Sequence, residues 1–187
     1  MDERSPRIPT ISTRDELPPN QRDRYDSIAE GRDDVSGPFP VLLQHPELAE
    51  RVGRLGAYVR FESALAGRER ELAILATARE FDCAYEWVFH EPIARREGVP
   101  TATIDAVATD DALDAVPDAD ALVVRYVRAL LRDHGVSERT FRRAEERFGV
   151  RGLVELTATA GYYAMLACVL NAFEVRPDES PPFRSAT

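Results

Sequence analysis

Residues 68–98 read RERELAILATAREFDCAYEWVFHEPIARREG, and Leu72, Leu75 and Ala78 recur within them at helical spacing. An apolar residue at every third or fourth position forms the buried face of an amphipathic helix, because one turn takes 3.6 residues. Alternating strand patterns bounded by turn residues do not occur in the sequence. The stretch therefore predicts helices, and the whole sequence predicts an all-α fold.

Helical signals continue on both sides of this stretch. A helix is expected to begin at Pro46, and another is expected to end at Gly135. Ser137 is expected to cap the next helix, which should end near Gly149. The last helix, at about residues 151–174, is apolar on most sides and is therefore expected to be central.

Proline-rich segments bound the helical region. Pro18-Pro19 and Pro181-Pro182 lie in segments where helix is disfavoured. We therefore expect an extended N-terminal arm at residues 1–20, a single helical domain at residues 21–176, and an irregular C-terminal tail at residues 177–187.

The composition excludes several classes of protein. With 24 basic and 33 acidic residues the net charge is −9, whereas a nucleic-acid-binding protein needs a basic surface. Two cysteines are too few for a disulfide scaffold or a zinc ribbon.

All basic residues are arginine, so lysine chemistry is excluded and any positive charge at a site must come from arginine. Arg68, Arg70 and Arg79 are the nearest candidates in sequence. A coding bias and adaptation to high salt explain this acidic, lysine-free composition equally well.

The sequence also bears on location. The first 20 residues are polar and contain no apolar core of a secretory signal. Residues 156–173 carry no charge, but they include threonine, tyrosine and asparagine, which favours a buried core helix over a membrane span. We therefore expect a soluble cytoplasmic protein.

The central stretch contains the candidate catalytic residues. Glu86 and His90 are four residues apart, so they share one helix face, and a carboxylate beside an imidazole suits proton transfer near neutral pH. Cys83 lies on nearly the same face. Glu71 can join them only if the helix breaks, and Asp82 is expected to cap a second helix there. Such a cap would put Cys83 at a helix N-terminus, which favours the thiolate.

Each of these residues also has a simpler explanation. A Glu–His pair is common on solvated helix faces, and Cys83 could be a small buried hydrophobic residue. Glu71 lies in a charge cluster and could be a surface carboxylate. His45 and His134 are better explained by capping or solvation. No cofactor is expected, because the sequence has no glycine-rich phosphate loop. No metal site is predicted either, although the carboxylates and His90 include metal-ligating residue types.

Longer segments carry a family resemblance. Residues 68–99 resemble the core motif of the carboxymuconolactone decarboxylase-like proteins of the alkyl hydroperoxidase D-like superfamily. Residues 37–63, GPFPVLLQHPELAERVGRLGAYVRFES, resemble the preceding helix, and residues 161–175, GYYAMLACVLNAFEV, resemble the closing helix. The resemblance implies a helical bundle that assembles into homo-oligomers, with trimers or hexamers favoured and the site near a subunit interface.

The resemblance also assigns residues. In the peroxidase branch of the superfamily, the motif glutamate corresponds to Glu71, the first cysteine of a CxxC to Cys83 and the histidine to His90. The second cysteine falls at Glu86 and the histidine before it at Tyr85, so no disulfide can form at this motif. A carboxylate four residues before the histidine resembles the decarboxylase branch, in which acid–base residues are implicated.

Together these features predict a lyase-type decarboxylase that transfers protons on a small carboxylated or lactone substrate. His90 is expected to be the general acid/base, Glu86 to orient and tune it, and Glu71 to complete the relay or bind the substrate. Cys83 and Tyr85 are expected to line the pocket. Two alternatives stay open: a thiol peroxidase or redox protein that relies on Cys83 alone, and a non-catalytic oligomeric binding protein.

Overall fold

The computed structural model of the protein describes residues 5–30 and 34–184, and these residues form helices and loops without a strand. Eight α-helices lie within them: α1 (Arg22–Ala29), α2 (Phe39–Leu42), α3 (Pro46–Ala57), α4 (Gly67–Glu80), α5 (Ala84–Arg96), α6 (Thr101–Ala108), α7 (Asp118–Arg132) and α8 (Glu138–Ala172). Residues Tyr58–Glu62 continue α3 as one turn of π-helix, which we call the π turn. The predicted all-α fold is confirmed.

Helix α4 lies at the centre of the fold. Every residue from 71 to 78 is buried, and the helix packs against α5, α7 and α8. Because α4 is apolar on most sides between its charged ends, it can be covered on all of them. Helix α8 extends along two apolar clusters, with Leu156 in the cluster around α4 and Leu166 in the cluster that includes α1 and α3.

Local signals at helix ends agree with the structure in most places. Ser137 caps α8 by accepting a hydrogen bond from the Thr140 amide at 3.3 Å, and Gly149 (φ +65°, ψ 172°) interrupts α8 near where a helix end is expected. The prediction for Gly135 is wrong: the left-handed residue after α7 is His134, with φ +55°. Histidine tolerates this conformation better than most residues, so a glycine is not needed there.

The predicted break between α4 and α5 is confirmed, but its cap differs from the expectation. Asp82 adopts a left-handed conformation with φ +46° and pairs with Arg79, while Cys83 occupies the N-cap position of α5. Asp82 therefore makes the turn and does not cap the helix.

The predicted arm and tail include residues 1–4 and 185–187, which lie outside the described residues. The described part of the arm contains two short 3-10 turns, Arg14–Glu16 and Pro19–Gln21, so it is not extended throughout. The Arg7 amide donates a hydrogen bond to the Phe173 carbonyl at 2.9 Å. The tail packs through Phe183, whose ring meets that of Trp87 edge-to-face at 5.1 Å. Both segments thus contact the helical domain.

Among the described residues, α8 is the single helix that is long and apolar enough to span a membrane by length and composition. However, 56% of its most apolar window is buried inside the fold, and it packs against α4 and α7. We therefore interpret α8 as a core helix.

Candidate acid–base site

The turn between α4 and α5 brings Glu71, Glu86 and His90 together. His90 Nδ1 lies 2.7 Å from Glu71 Oε2, and His90 Nε2 lies 3.4 Å from Glu86 Oε2. The three residues are buried, with exposed fractions of 2%, 4% and 3% respectively. His90 therefore lies between two buried carboxyl groups, one beside each ring nitrogen. We call Glu71, Glu86 and His90 the acid–base cluster.

The two carboxyl groups have opposite pKa shifts. Burial alone would raise the pKa of Glu71, but the hydrogen bond from His90 and the charges of His90 and Arg70 outweigh it, so this pKa lies below its ordinary value. Burial raises the pKa of Glu86 and outweighs the opposing charges of His90 and Arg60. An ionised carboxylate can only accept a hydrogen bond, so His90 Nδ1 carries a proton and donates a hydrogen bond to Glu71. Nε2 then faces Glu86, which binds a proton more readily than an ordinary carboxyl group.

A cavity of about 410 Å³ lies beside this cluster. Loop residues 34–39, the π turn, α5 and α8 form its walls. Glu86 and His90 line it, whereas Glu71 and Cys83 are not among the described lining residues. Tyr85 also lines the cavity. The volume is within the range of small-molecule sites, about 300–1,000 Å³.

Aromatic side chains form much of the cavity wall. The ring of Tyr163 meets that of His90 edge-to-face, with centroids 5.1 Å apart, and Phe89 contacts His90 at the same distance. Burial, reinforced by the charges of Glu86 and Glu71, raises the pKa of Tyr163 well above its ordinary value. Tyr163 is therefore a neutral phenol near neutral pH. The aromatic lining residues are Phe39, Phe61, Tyr85, Phe89, Tyr162 and Tyr163.

The cavity's cationic side chain is Arg60, which the sequence did not indicate. Arg60 belongs to the π turn, and its guanidinium carbon lies 5.2 Å from the centroid of the Phe61 ring. The three arginines that were candidates from sequence are engaged in ion pairs outside the cavity: Arg68 with Asp120, Arg70 with Glu71, and Arg79 with Asp82. Of these, only Arg70 approaches the acid–base cluster, from behind Glu71.

Cys83 does not have the properties expected of a reactive thiol. Its side chain is completely buried and packs against Ala167 and Leu170. Burial, followed by the nearby charge of Glu86, raises the pKa of Cys83 to about 12. The expectation of a stabilised thiolate at the start of α5 is wrong, because burial outweighs the favourable field of the helix N-terminus.

The described residues contain no group of three or more His, Cys, Asp and Glu side chains arranged to hold a metal ion. Both ring nitrogens of His90 already face carboxyl oxygens. The arrangement is suited to holding and moving a proton.

Part of the chain matches a known protein family. The sequence model of the Carboxymuconolactone decarboxylase family matches residues 46–130, a little under half of the chain, and this segment contains the three residues of the acid–base cluster. No curated protein matches the chain.

Solved structures share the fold. An uncharacterized peroxidase-related protein from Ralstonia eutropha JMP134, with an alkylhydroperoxidase AhpD core, has a TM-score of 0.76 and 21% identity over 93% of each chain. An uncharacterized peroxidase-related protein from Silicibacter sp. TM1040 has a TM-score of 0.72 and 18% identity over 92% of this chain and 94% of that one. A protein of unknown function from Agrobacterium tumefaciens has a TM-score of 0.66 and 19% identity over 74% of this chain and 97% of that one. Residues 46–130 therefore match the carboxymuconolactone decarboxylase family model, and the described residues share the fold of these AhpD-like structures.

Proposed function

We propose that the protein is an acid–base enzyme, a decarboxylase or related lyase, that transfers a proton to or from a carbon of a small carboxylated or lactone substrate. The observation that carries this proposal is His90 between two carboxyl groups with opposite pKa shifts. Titratable groups whose environments push their pKa values apart are the usual basis of acid–base assignments.

The geometry favours different roles for the two glutamates from those expected from sequence: Glu71 orients His90, and Glu86 faces the substrate. Glu71 accepts the proton of His90 Nδ1 and lies outside the cavity, so it orients the imidazole and does not bind substrate. Glu86 lines the cavity and, with its raised pKa, is suited to act as the proton donor. Such a group near the substrate carbon would act as a catalytic acid.

In a decarboxylation the bond to the departing carboxylate breaks, CO₂ leaves, and its electron pair stays on the substrate as an enolate-like carbanion. The proton that Glu86 and His90 share then adds to that carbon, and solvent restores the proton to the pair. Preorganised acid–base groups contribute about 10²- to 10⁴-fold to such steps.

The competing function is a single-cysteine peroxidase. Two structural relatives are peroxidase-related proteins. The buried Cys83 thiol, with its pKa near 12, speaks against that function in this chain. A thiol that is neutral and inaccessible at pH 7 is a poor nucleophile.

The test is a panel of small lactone carboxylates and unsaturated acids in D₂O, followed by NMR for loss of CO₂ or carbon-bound exchange. We expect His90→Ala and Glu86→Gln to lose at least about a hundredfold in rate, while Cys83→Ala retains activity. Unchanged turnover in both cavity variants would refute the proposal. Thiol-dependent peroxide reduction that Cys83→Ala abolishes would establish the peroxidase in its place.

We further propose that the protein assembles into a homo-oligomer, a trimer or a hexamer, in the cytoplasm. Val150, Val154 and Met165 are exposed on the outer face of α8, where Val154 is 62% exposed. Exposed apolar surface of this kind marks association sites. Light scattering coupled to gel filtration measures the oligomeric state directly, and a monomer at micromolar concentration would contradict this part of the proposal.

A further inference from the structure

Arg60 is the one cationic side chain among the described residues that line the cavity, apart from any proton on His90. No described carboxylate forms an ion pair with it, although its guanidinium lies over the Phe61 ring. Arginine is the residue best suited to a planar carboxylate, because its fork of N–H donors matches two oxygens. The charge of Arg60 reaches Glu86, whose pKa it lowers, but no described carboxylate lies within ion-pair distance of the guanidinium. This partly buried guanidinium on the cavity wall is therefore available to an anionic ligand.

The π turn that carries Arg60 is fastened at both ends to one buried carboxylate of α8, Glu155. Tyr58 Oη donates a hydrogen bond to Glu155 Oε1 at 2.7 Å, at the start of the turn. The Ala64 amide and Ser63 Oγ donate to Glu155 Oε2 at 2.7 and 3.2 Å, just after the turn ends. Turns of π-helix are rare and occur frequently at functional sites. Glu155 thus fixes the backbone from which Arg60 reaches the cavity.

The remainder of the cavity limits the ligand. Glu86 has a raised pKa, so it holds a proton more readily than an ordinary carboxyl group and opposes a bound anion less. Asp34, another acidic lining residue, is exposed at the cavity wall and accepts a hydrogen bond from Ser36. Aromatic rings cover much of the remaining wall and suit a flat, unsaturated body. A ligand with one anionic group on a flat, unsaturated body is therefore complementary to this cavity.

We propose that Arg60 is the specificity-determining residue of the cavity, binding a carboxylate of the ligand, and that Glu155 positions Arg60 by holding the π turn. The inference rests on the proposed function only in using the same cavity. A carboxylate that leaves as CO₂ loses its charge in the transition state, so a guanidinium bound to it would stabilise the ground state and slow the reaction. The carboxylate at Arg60 is therefore one that the substrate retains.

The test uses binding, which needs no knowledge of the reaction. Titration calorimetry compares benzoate, cinnamate and sorbate with their uncharged amides. We expect each acid to bind the wild-type protein at least tenfold more tightly than its amide, and Arg60→Gln to abolish that preference. Arg60→Lys should retain part of it, because the charge stays while the planar fork is lost. Arg51→Gln is the matched control, since Arg51 is exposed and its ion-pair partner among the described residues is Glu47, outside the cavity.

The role of Glu155 has its own test. Glu155→Gln should reduce the preference for acids over amides, because the π turn is held less firmly. Gly149→Ala should lower stability without contacting that turn and should keep the full preference. An equal loss of preference in both variants would show that reduced stability alone accounts for the effect, and would overturn the positioning role.

Three results would overturn the Arg60 assignment: no acid in the panel binding at 10 mM, equal binding of acids and amides to the wild-type protein, or an unchanged preference in Arg60→Gln. Glu86→Gln distinguishes this inference from the proposed function. It should retain the preference for acids even though catalysis is lost, so either idea can fail while the other stands.

Discussion

The Glu155 carboxylate makes a contribution to stability that depends on pH. Burial alone would raise its pKa, but hydrogen bonds from Tyr58, the Ala64 amide, Arg151 and Ser63 outweigh burial and lower the pKa from 4.5 to about 2. A shift of this size corresponds to about 3 kcal/mol of stability, since one pKa unit is about 1.36 kcal/mol. Because the folded-state pKa is depressed, this stability is present above pH 4.5 and is lost as the pH falls towards 2.

The perturbation that isolates this term is Glu155→Gln, which keeps the shape of the side chain and removes its charge. At pH 7 we expect the free energy of unfolding of the variant to be about 3 kcal/mol lower than that of the wild-type protein. That difference corresponds to about 6–12 °C in Tm for a chain of this size. At pH 3 this carboxyl group is almost fully protonated in the unfolded chain but still mostly ionised in the folded protein, so the difference should fall to about 1 kcal/mol.

Urea denaturation at pH 7 and pH 3, followed by circular dichroism, measures both values. Any packing change caused by the amide contributes similarly at the two pH values, so the diagnostic quantity is the change in the difference between them. Glu138→Gln is the control on the same helix, because Glu138 is exposed and its replacement should matter by less than about 0.5 kcal/mol. If Glu155→Gln and the wild-type protein lose stability in parallel as the pH falls, the charged hydrogen-bond cluster is not the source of the stability.

Four other outcomes are expected. Glu71→Gln should lower kcat by about tenfold or more with little change in KM, because Glu71 lies outside the cavity; steady-state kinetics on the substrate found by the NMR panel separates the two parameters. Activity should fall as the pH rises through the raised pKa of Glu86, and that limb of the pH–rate profile should disappear in Glu86→Gln. Alkylation of Cys83 at pH 7.5 should be at least about a thousandfold slower than that of the exposed Cys168, a difference that mass spectrometry of labelled peptides resolves. Gly149→Ala should cost about 1–3 kcal/mol in thermal unfolding, because φ +65° with ψ 172° is essentially restricted to glycine.

Local features of the sequence were sufficient to predict the helices and part of the site. The apolar spacing around Leu72 and the cap at Ser137 depend only on neighbouring residues, and both agree with the structure. The approach of Glu71 to His90 follows from one local break, because a turn between two helices allows residues on either side of it to meet.

Features that depend on distant segments were not predictable in this way. Cys83 is buried and its pKa is raised because Ala167 and Leu170 of α8 cover it, and nothing near Cys83 in the sequence indicates that contact. Arg60 was missed because a π turn held by Glu155 brings it to the cavity. A pattern based on 3.6 residues per turn places a residue in such a turn on the wrong face. Nothing in the sequence distinguishes Arg60 from nearby arginines such as Arg51 and Arg54.

The separation of Glu71 from the cavity has an evolutionary consequence. Glu71, which orients His90, belongs to the packed interior, whereas the loop at residues 34–39 and the π turn form walls of the cavity. Substitutions in those walls can alter which molecule is accepted without disturbing the oriented imidazole. Proteins that share this interior could therefore diversify their chemistry through wall residues alone, and conservation of Glu71 and His90 among them would not imply a common substrate.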